Sequence, residues 1–471
     1  MNKIIILFGF CMSCLNLSAS DLNPKAIFIQ ENKISIKEAW ERVLNNHQGI
    51  KAEEFGVQKA NKISLASKLS FLPSIDLTGF YIHLAKPLEL DLFQNKAALN
   101  GATASLPPAF SGIGSIFEGL ASPIELSKQD IIIGALNIVY PLYMGGARFY
   151  ASKIAVLHAK DALEALRLRK LATFEELVKV YYGVVLNQEV LDVLQGIEKG
   201  HYTHYQNAIK MQKAGQIARI EVLSAQVAYD RAKTKTAEAA NSLEVARLAF
   251  DTILSSQTNL FLSSTLTPDT NKTLPNSEYF VKETLSSYPV LRTLENQVLS
   301  TQEVKKLQLS KFLPQVGLFG SYLMKGQNSI LNRMIPDWYI GIGARLPIIT
   351  PEGRIQKYQA AKLAVLQVHS LKEQAIKDMK LLSQKVYKEV ISAAREYKSL
   401  DSSIELAKEN LKLQEQAFTQ GLATSAQVVD ARNTFSSILI EQKTIGYKYI
   451  IHLANLMALS GHLDMFYDYQ N

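Results

Sequence analysis

Apolar and polar positions divide the chain into two kinds of segment. Long stretches carry apolar residues at i, i+3 and i+4. Phe174, Leu177, Val178, Tyr181, Val184, Val185, Leu191, Leu194 and Ile197 form one such stripe, with no proline between Ala151 and Asn207. That spacing predicts an amphipathic helix, and a helix of about 55 residues at 1.5 Å per residue reaches roughly 80 Å. Periodicity of this length without internal caps predicts coiled-coil-like packing. Shorter stretches alternate with period 2 instead. Trp338, Ile340, Ile342, Ala344 and Leu346 alternate with Tyr339, Gly341, Gly343 and Arg345, and Val316, Leu318, Tyr322 and Met324 do the same around Gly320. These read as strands of about ten residues, the length that crosses a bilayer when tilted.

The elements occur twice. "FLPSIDLTGFY" from Phe71 and "FLPQVGLFGSY" from Phe312 share F-L-P-x-x-x-L-x-G-x-Y, and each ends a helical pattern and opens an alternating one. Pro73 and Pro314 are read as helix-to-strand hinges, because proline drives the residue before it out of the helical region. Further on, Pro141 and Arg148 match Pro347 and Arg354, and the prolines are read as hinges of the same kind. Gly215, Val222 and Ala225 match Gly421, Val428 and Ala431. The offset between copies falls from 241 at the first pair to 206 at the later ones, which puts some 35 extra residues in one connection, 85–129 against 325–336. Length variation confined to one connection marks a surface loop.

Each unit therefore reads helix, strand, loop, strand, long helix, turn, long helix, with opening helices near 36–70 and 279–311. Residues 1–20 have the charged, apolar and small-residue regions of a secretory signal peptide. The first repeat is then 21–265, with strands near 73–84 and 130–141, and the second is 266–471, with strands near 314–325 and 337–347.

Composition narrows the class. Of 471 residues, 47% are hydrophobic and 20% charged, enough for a packed core. The net charge of +8 is spread along the chain, as on a solvated basic surface, and points to no nucleic-acid partner. Cys11 and Cys14, the only cysteines, both fall in the expected leader, so no disulfide or thiol chemistry is expected of the mature chain. Cys14 follows a small residue after an apolar run, as a lipidated cysteine does, but the residues before it lack the leucine normally found three positions earlier. Beyond the leader the longest apolar run, "IIIGALNIVYPLYMGGA" from Ile131, is broken by Pro141, Gly145 and Gly146, which excludes a spanning helix. A β-barrel remains open. Four strands cannot close one, since small barrels need about eight. Oligomerisation is the remedy, and three copies would supply twelve strands, although the sequence alone does not choose between two, three and four. Tyr140, Trp338 and Tyr339 stand at strand ends, where membrane-interface aromatics are expected.

Candidate chemistry is sparse. His201 and His204 lie three apart but no third metal ligand is near, and they read as solvated surface residues. Glu175 and Glu176, adjacent on a helix, point different ways. Gly341-x-Gly343 lacks a third glycine and lies in a strand. No Walker loop, catalytic triad or nucleophile elbow is present, so no enzymatic activity, cofactor or metal is expected.

With the two Leu-Pro hinges, the Gly-Arg turns after Pro141 and Pro347, the G-x-x-x-x-x-x-V motifs from Gly215 and Gly421, and the C-terminal "LANLMALSGHL" from Leu453, the chain resembles the TolC family of outer-membrane efflux proteins over essentially its whole mature length. The resemblance implies a mainly α fold with a β-barrel portion. It implies a homotrimer whose 12-stranded barrel sits in the outer membrane of a Gram-negative bacterium, among outer-membrane lipid, with an α-helical tunnel in the periplasm. It also implies two partners, a periplasmic adaptor (membrane fusion) protein and an inner-membrane pump of the resistance-nodulation-division or ABC type. The chain itself would be a passive gated conduit exporting small amphiphiles, drugs or ions. The gate of the family lies at the periplasmic tip, which maps onto Gly215, Glu221, Gly421, Gln427 and Asp430. Studied family gates carry two acidic residues three apart and an arginine soon after the glycine. Here Asp430 fills the second acidic position, Gln427 stands at the first and Ala423 at the arginine position. Three Asp430 carboxylates around one axis would repel and favour hydrated cations; the alternative is an ordinary solvated helix residue. The chain departs most from the family in loop 85–129, where Phe93, Phe110, Ile113, Ile116, Phe117 and Leu120 suggest a lid folded over the barrel mouth. Two other functions fit the same pattern: the outer-membrane component of a type I protein-secretion system, and a soluble periplasmic coiled-coil scaffold.

Overall fold

The computed structural model describes residues 33–90, 124–255, 261–269, 272–326 and 330–470. The expected leader at 1–20 with Cys14, and most of the lid expected at 85–129, lie outside the described residues.

Duplication governs the order of elements. Strand β1 (Lys33–Ile34), helices α1 (Ile36–Asn46) and α2 (Gln48–Leu69) and strand β2 (Ser74–His83) come first. Two short strands, β3 (Leu88–Leu90) and β4 (Ile124–Ser127), flank the undescribed part of the first connection. There follow β5 (Asp130–Met144), the long hairpin of α3 (Ala147–Lys213) and α4 (Arg219–Leu254), and the two-residue β6 (Phe261–Leu262). The second copy has α5 (Ser277–Ser287), α6 (Pro289–Ser310), β7 (Gln315–Lys325), the short α7 (Ile330–Met334), β8 (Trp338–Arg345), and the hairpin of α8 (Arg354–Thr419) and α9 (Ser425–Ser460), closed by α10 (Leu463–Asp468). Helix lengths repeat almost to the residue: 11, 22, 67 and 36 in the first copy, 11, 22, 66 and 36 in the second.

Two details differ from the sequence reading. The opening helix of each copy is two helices, because His47 and Tyr288 are extended, with ψ of 117° and 127°. Tyr288 precedes Pro289 and is held out of the helical region by the proline ring. At His47 the break lets Gly49 pass closely against the Arg169 side chain. Pro141, in turn, does not end its strand. β5 runs on to Met144 through a bulge between Pro141 and Tyr143, where a residue without an N–H is tolerated.

The four long strands form one antiparallel sheet in the order β2-β5-β7-β8. Its register separates two chemically different faces. On one, Leu77 pairs with Leu136, Leu136 with Tyr322 and Tyr322 with Trp338. The next row on that face is Ile75, Ile138, Gly320 and Ile340. Among the described residues nothing covers this face: Leu77 is 70% exposed, Ile342 68% and Trp338 64%. On the other face Asp76, Asn137, Ser321 and Tyr339 stand in one row. Asn137 Nδ2 donates to Thr78 Oγ1 at 3.1 Å and Ser321 Oγ to Asn137 Oδ1 at 2.9 Å, a polar net across three strands. Trp338 and Tyr140 thus belong to the apolar face and Tyr339 to the polar one, whereas Tyr81 and Tyr322 join Trp338 at the loop end of the apolar face.

Each helix-to-strand hinge is held by an arginine from far along the chain. Arg148, at the start of α3, donates from Nη1 to Ser70 O at 3.0 Å and from Nη2 to Pro141 O, and lies over the Phe71 ring at 5.1 Å. Arg354, at the start of α8, donates to Lys311 O at 2.8 Å and Ile348 O at 2.9 Å, and lies over Phe312 at 4.9 Å. Ser70 and Lys311 cap the C-termini of α2 and α6, where carbonyls lack helical partners and the dipole favours a cation. The repeated F-L-P and the repeated Gly-Arg turn are therefore two halves of one joint between helix and strand.

The main core lies midway along the long helices. Phe174 is fully buried, edge-on to Trp40 at 5.3 Å and Phe466 at 5.5 Å. Leu177, Val178, Tyr181 and Tyr182 continue the buried stripe, and Leu453, Leu456 and Met457 of α9 pack against it. Tyr181 Oη donates to Ile34 O at 2.8 Å, which ties β1 to the core.

Removing one clamp tests the joint. Charged hydrogen bonds contribute about 1.5–3 kcal/mol each and an exposed cation–π contact about 0.5–1 kcal/mol. Arg148→Ala and Arg354→Ala are each expected to lower thermal stability by about 2–3 kcal/mol per protomer, with Lys restoring only part because an ammonium does not bridge two carbonyls with a planar fork. Circular-dichroism melting of the purified variants reads this directly; an unshifted melt would remove the clamp from the account.

Candidate functional site at the helical tip

The 67 residues of α3 place its far end about 100 Å from the sheet, and there both helical hairpins turn. The two turns use one device. Gly215 and Gly421 adopt left-handed φ of 73° and 72°. Gln216 N donates to Met211 O at 2.9 Å and Gly215 N to Gln212 O at 3.0 Å; Leu422 N donates to Ala417 O at 2.8 Å and Gly421 N to Phe418 O at 2.9 Å. This is the Schellman closure, which satisfies the last helical carbonyls and requires a residue at ease with positive φ.

After the turn the copies diverge. In the second, Thr424 caps α9 and Gln427 returns the favour: Gln427 N donates to Thr424 Oγ1 at 3.3 Å and Thr424 N to Gln427 Oε1 at 2.8 Å. The Gln427 amide is thus engaged in a capping box rather than projecting as a free pore group. In the first, Ala218 has no side chain to offer α4. Glu221, at the position equivalent to Gln427, reaches instead to the other hairpin, where its Oε2 accepts from Ser425 N at 2.6 Å. A carboxylate on a helix N-terminus is a charge-assisted contact, and this one ties α4 to α9. Beneath it Ala208, Ala225, Phe418 and Val428, one residue from each of four helices, form a small separate core.

Asp430 is exposed on α9. It lines a groove of about 830 Å³ between α4 and α9, together with Ile220, Leu223, Val227, Arg231 and Lys235. The groove wall is mainly apolar and its charges have both signs.

His201 and His204 are not solvated: they are 2% and 5% exposed. Gly200 lets this layer close, because a Cβ there would overlap Arg432 Nη1. Arg432 crosses from α9, 6% exposed, and pairs with Glu415 of α8. His204 stacks edge-on to Phe418 at 4.5 Å. Burial first, and the Arg432 guanidinium second, push both imidazoles down to about 4. The sequence carries the signal for this burial: positions 194, 197, 201, 204 and 208 continue the apolar stripe at alternating steps of three and four. Elsewhere on α3, burial raises the Glu175 carboxyl to about 7. Among the described residues no group of three or more His, Cys, Asp or Glu side chains is arranged to hold a metal ion, and no helix is long and apolar enough to cross a membrane.

The architecture has solved counterparts. The outer-membrane channel OprN superposes with a TM-score of 0.75 at 14% identity, covering 91% of this chain and 90% of that one. The outer membrane protein VceC from Vibrio cholerae gives 0.72 at 12% identity, covering 91% and 96%. The Campylobacter jejuni CmeC outer membrane channel gives 0.68 at 14% identity, covering 95% and 94%. No curated protein matches the sequence closely enough to count as a relative. At these identities the superpositions establish a shared fold. The family described as "Outer membrane efflux protein" matches residues 129–256 and 280–462, well over half of the sequence, and the chain belongs to that family.

Proposed function

We propose that three copies of this chain close their four-stranded sheets into one twelve-stranded outer-membrane barrel and continue it as a helical tunnel. The assembly is a passive, gated efflux duct for small amphiphiles, drugs or ions. The observation that carries this reading is the bare sheet. Its apolar face is uncovered, and β2 and β8 are each paired on one side only among the described residues. A soluble scaffold would expose Ile75, Leu77, Trp338, Ile340 and Ile342 to water, and a lone sheet in lipid would leave two edges of backbone groups unsatisfied. Joining β8 of one copy to β2 of the next removes both faults. Two copies would give eight strands, whose interior side chains fill; three leave a lumen lined by the Asp76–Asn137–Ser321 face. The trimer works with a periplasmic adaptor and an inner-membrane pump of the resistance-nodulation-division or ABC type, which engage the tip and supply the energy. Trp338, Tyr81 and Tyr322 anchor the loop end of the barrel at the membrane interface.

The tip is the gate. Asp430 carboxylates from three copies form a ring that attracts multivalent cations, and Glu221 holds the two hairpins of each copy together. Reconstituted in planar bilayers, the purified protein is expected to give discrete cation-blockable pores, and Asp430→Ala to weaken the block at least tenfold. An unchanged block removes Asp430 from the gate. Glu221→Ala leaves the Ser425 N–H without its acceptor at a cost of about 1–2 kcal/mol. It is expected to lengthen open times, and open times equal to wild type would show that the Glu221 tie does not restrain the gate.

A further inference from the structure

The histidine layer at the tip has no role in the duct as described so far, yet its construction is specific. Two imidazoles are buried among helices of both hairpins. His201 Nδ1, His204 Nε2 and Arg432 Nε are enclosed without a hydrogen-bond partner in the structure. The charged groups around them come from every packed helix. α4 brings Lys235, Arg231, Glu238 and Glu221. α9 brings Arg432, Asp430 and the neutral Asn433. α8 brings Glu415, already paired with Arg432, and Lys412, which pairs with Glu409 at 3.0 Å. Arg432 is the charge that acts on both rings; of the carboxylates, Glu415 is paired with it and Glu221 accepts from Ser425.

We infer that this layer is an acid-operated latch. With His201 and His204 neutral, α3 closes on α8 and α9; protonated, the two rings repel Arg432 and part the hairpins at the tip. The inference rests on the reading of the tip as the gate of a duct, and adds to it what opens the gate.

The sign follows from the direction of the shifts. Both rings are held from an ordinary value of 6.5 down to about 4 in the packed state. The neutral form therefore belongs to the closed tip, and an opened tip gains protons. Closure is at full strength above about pH 6.5 and is lost as pH falls from there towards 4. At pH 5 the closed-to-open ratio drops by about thirtyfold per histidine. Two rings in each of three copies make the response steep.

The test is single-channel recording of the wild-type trimer between pH 7.5 and pH 5, beside the double variant His201→Gln/His204→Gln. Wild type is expected to rise at least tenfold in open probability on acidification, and the variant to stay within twofold of its pH 7.5 value. An equal rise in the variant, or no rise in wild type, overturns the latch. If the variant does not assemble, hydrogen exchange of the wild-type trimer decides. After correction for intrinsic pH dependence, amides of 197–213 and 411–419 must exchange faster at pH 5 than at pH 7.5, and unchanged protection overturns the latch. Pores at pH 7.5 with no acid response would sink the latch and leave the duct standing. Absence of pores at every pH would sink the duct itself.

Discussion

A strand edge cannot be left bare in hydrocarbon, and most of this molecule follows from that constraint. Each chain contributes a sheet of four strands with one apolar face, one polar face and two edges that its described residues do not pair. The pattern is stable only when another chain supplies the missing neighbours. Because each strand is joined to a helix, closure of the barrel also dictates how the helices are arranged below it. The Arg148 and Arg354 clamps matter for this reason: they fix the angle at which a closed ring of strands passes into a ring of helices.

The same long helices run from that joint to the tip, but stability is distributed unevenly along them. Aromatic packing around Phe174 and Phe466 anchors the middle. At the tip the fully buried apolar cluster is Ala208, Ala225, Phe418 and Val428, with Tyr205, Met211, Ile217, Val222 and Ala423 half-buried around it. Glu221 to Ser425 ties one hairpin to the other, and Arg432 to Glu415 braces the second hairpin within itself. Few buried apolar contacts and polar ties within reach of water define a region that opens at low cost. A rigid middle with a loosely tied end is what a gated tube requires. Duplication makes the asymmetry visible. Equivalent positions carry Gln427, spent on its own helix cap, and Glu221, spent on the neighbouring hairpin.

Much of the fold was legible in the residues. The stripe from Phe174 to Ile197 is the core of α3, the alternation of Trp338 to Ala344 is the apolar face of β8, and the proline hinges immediately precede β2 and β7. What escaped was everything that depends on partners far apart in sequence. Arg148 and Arg354 could be matched to each other, but not to the helix ends they clamp. Tyr339 stands next to Trp338 in the chain and on the opposite face of the sheet, which period 2 dictates once the register is fixed. His201 and His204 looked solvated because residue type was weighed above position; their place on the 194-197-201-204-208 stripe was the better guide. The break at His47 has no proline to announce it.

The account stands or falls on whether the free edges β2 and β8 meet between chains. Leu77→Cys on β2, combined in turn with Ile340→Cys and Ile342→Cys on the same face of β8, places reactive pairs across that seam. Mild oxidation of the detergent-solubilised protein, followed by denaturing electrophoresis, is predicted to give covalent dimers and trimers and nothing larger, because a ring of three is closed. Monomers alone for every pair, or a ladder continuing past three, would contradict the twelve-stranded barrel.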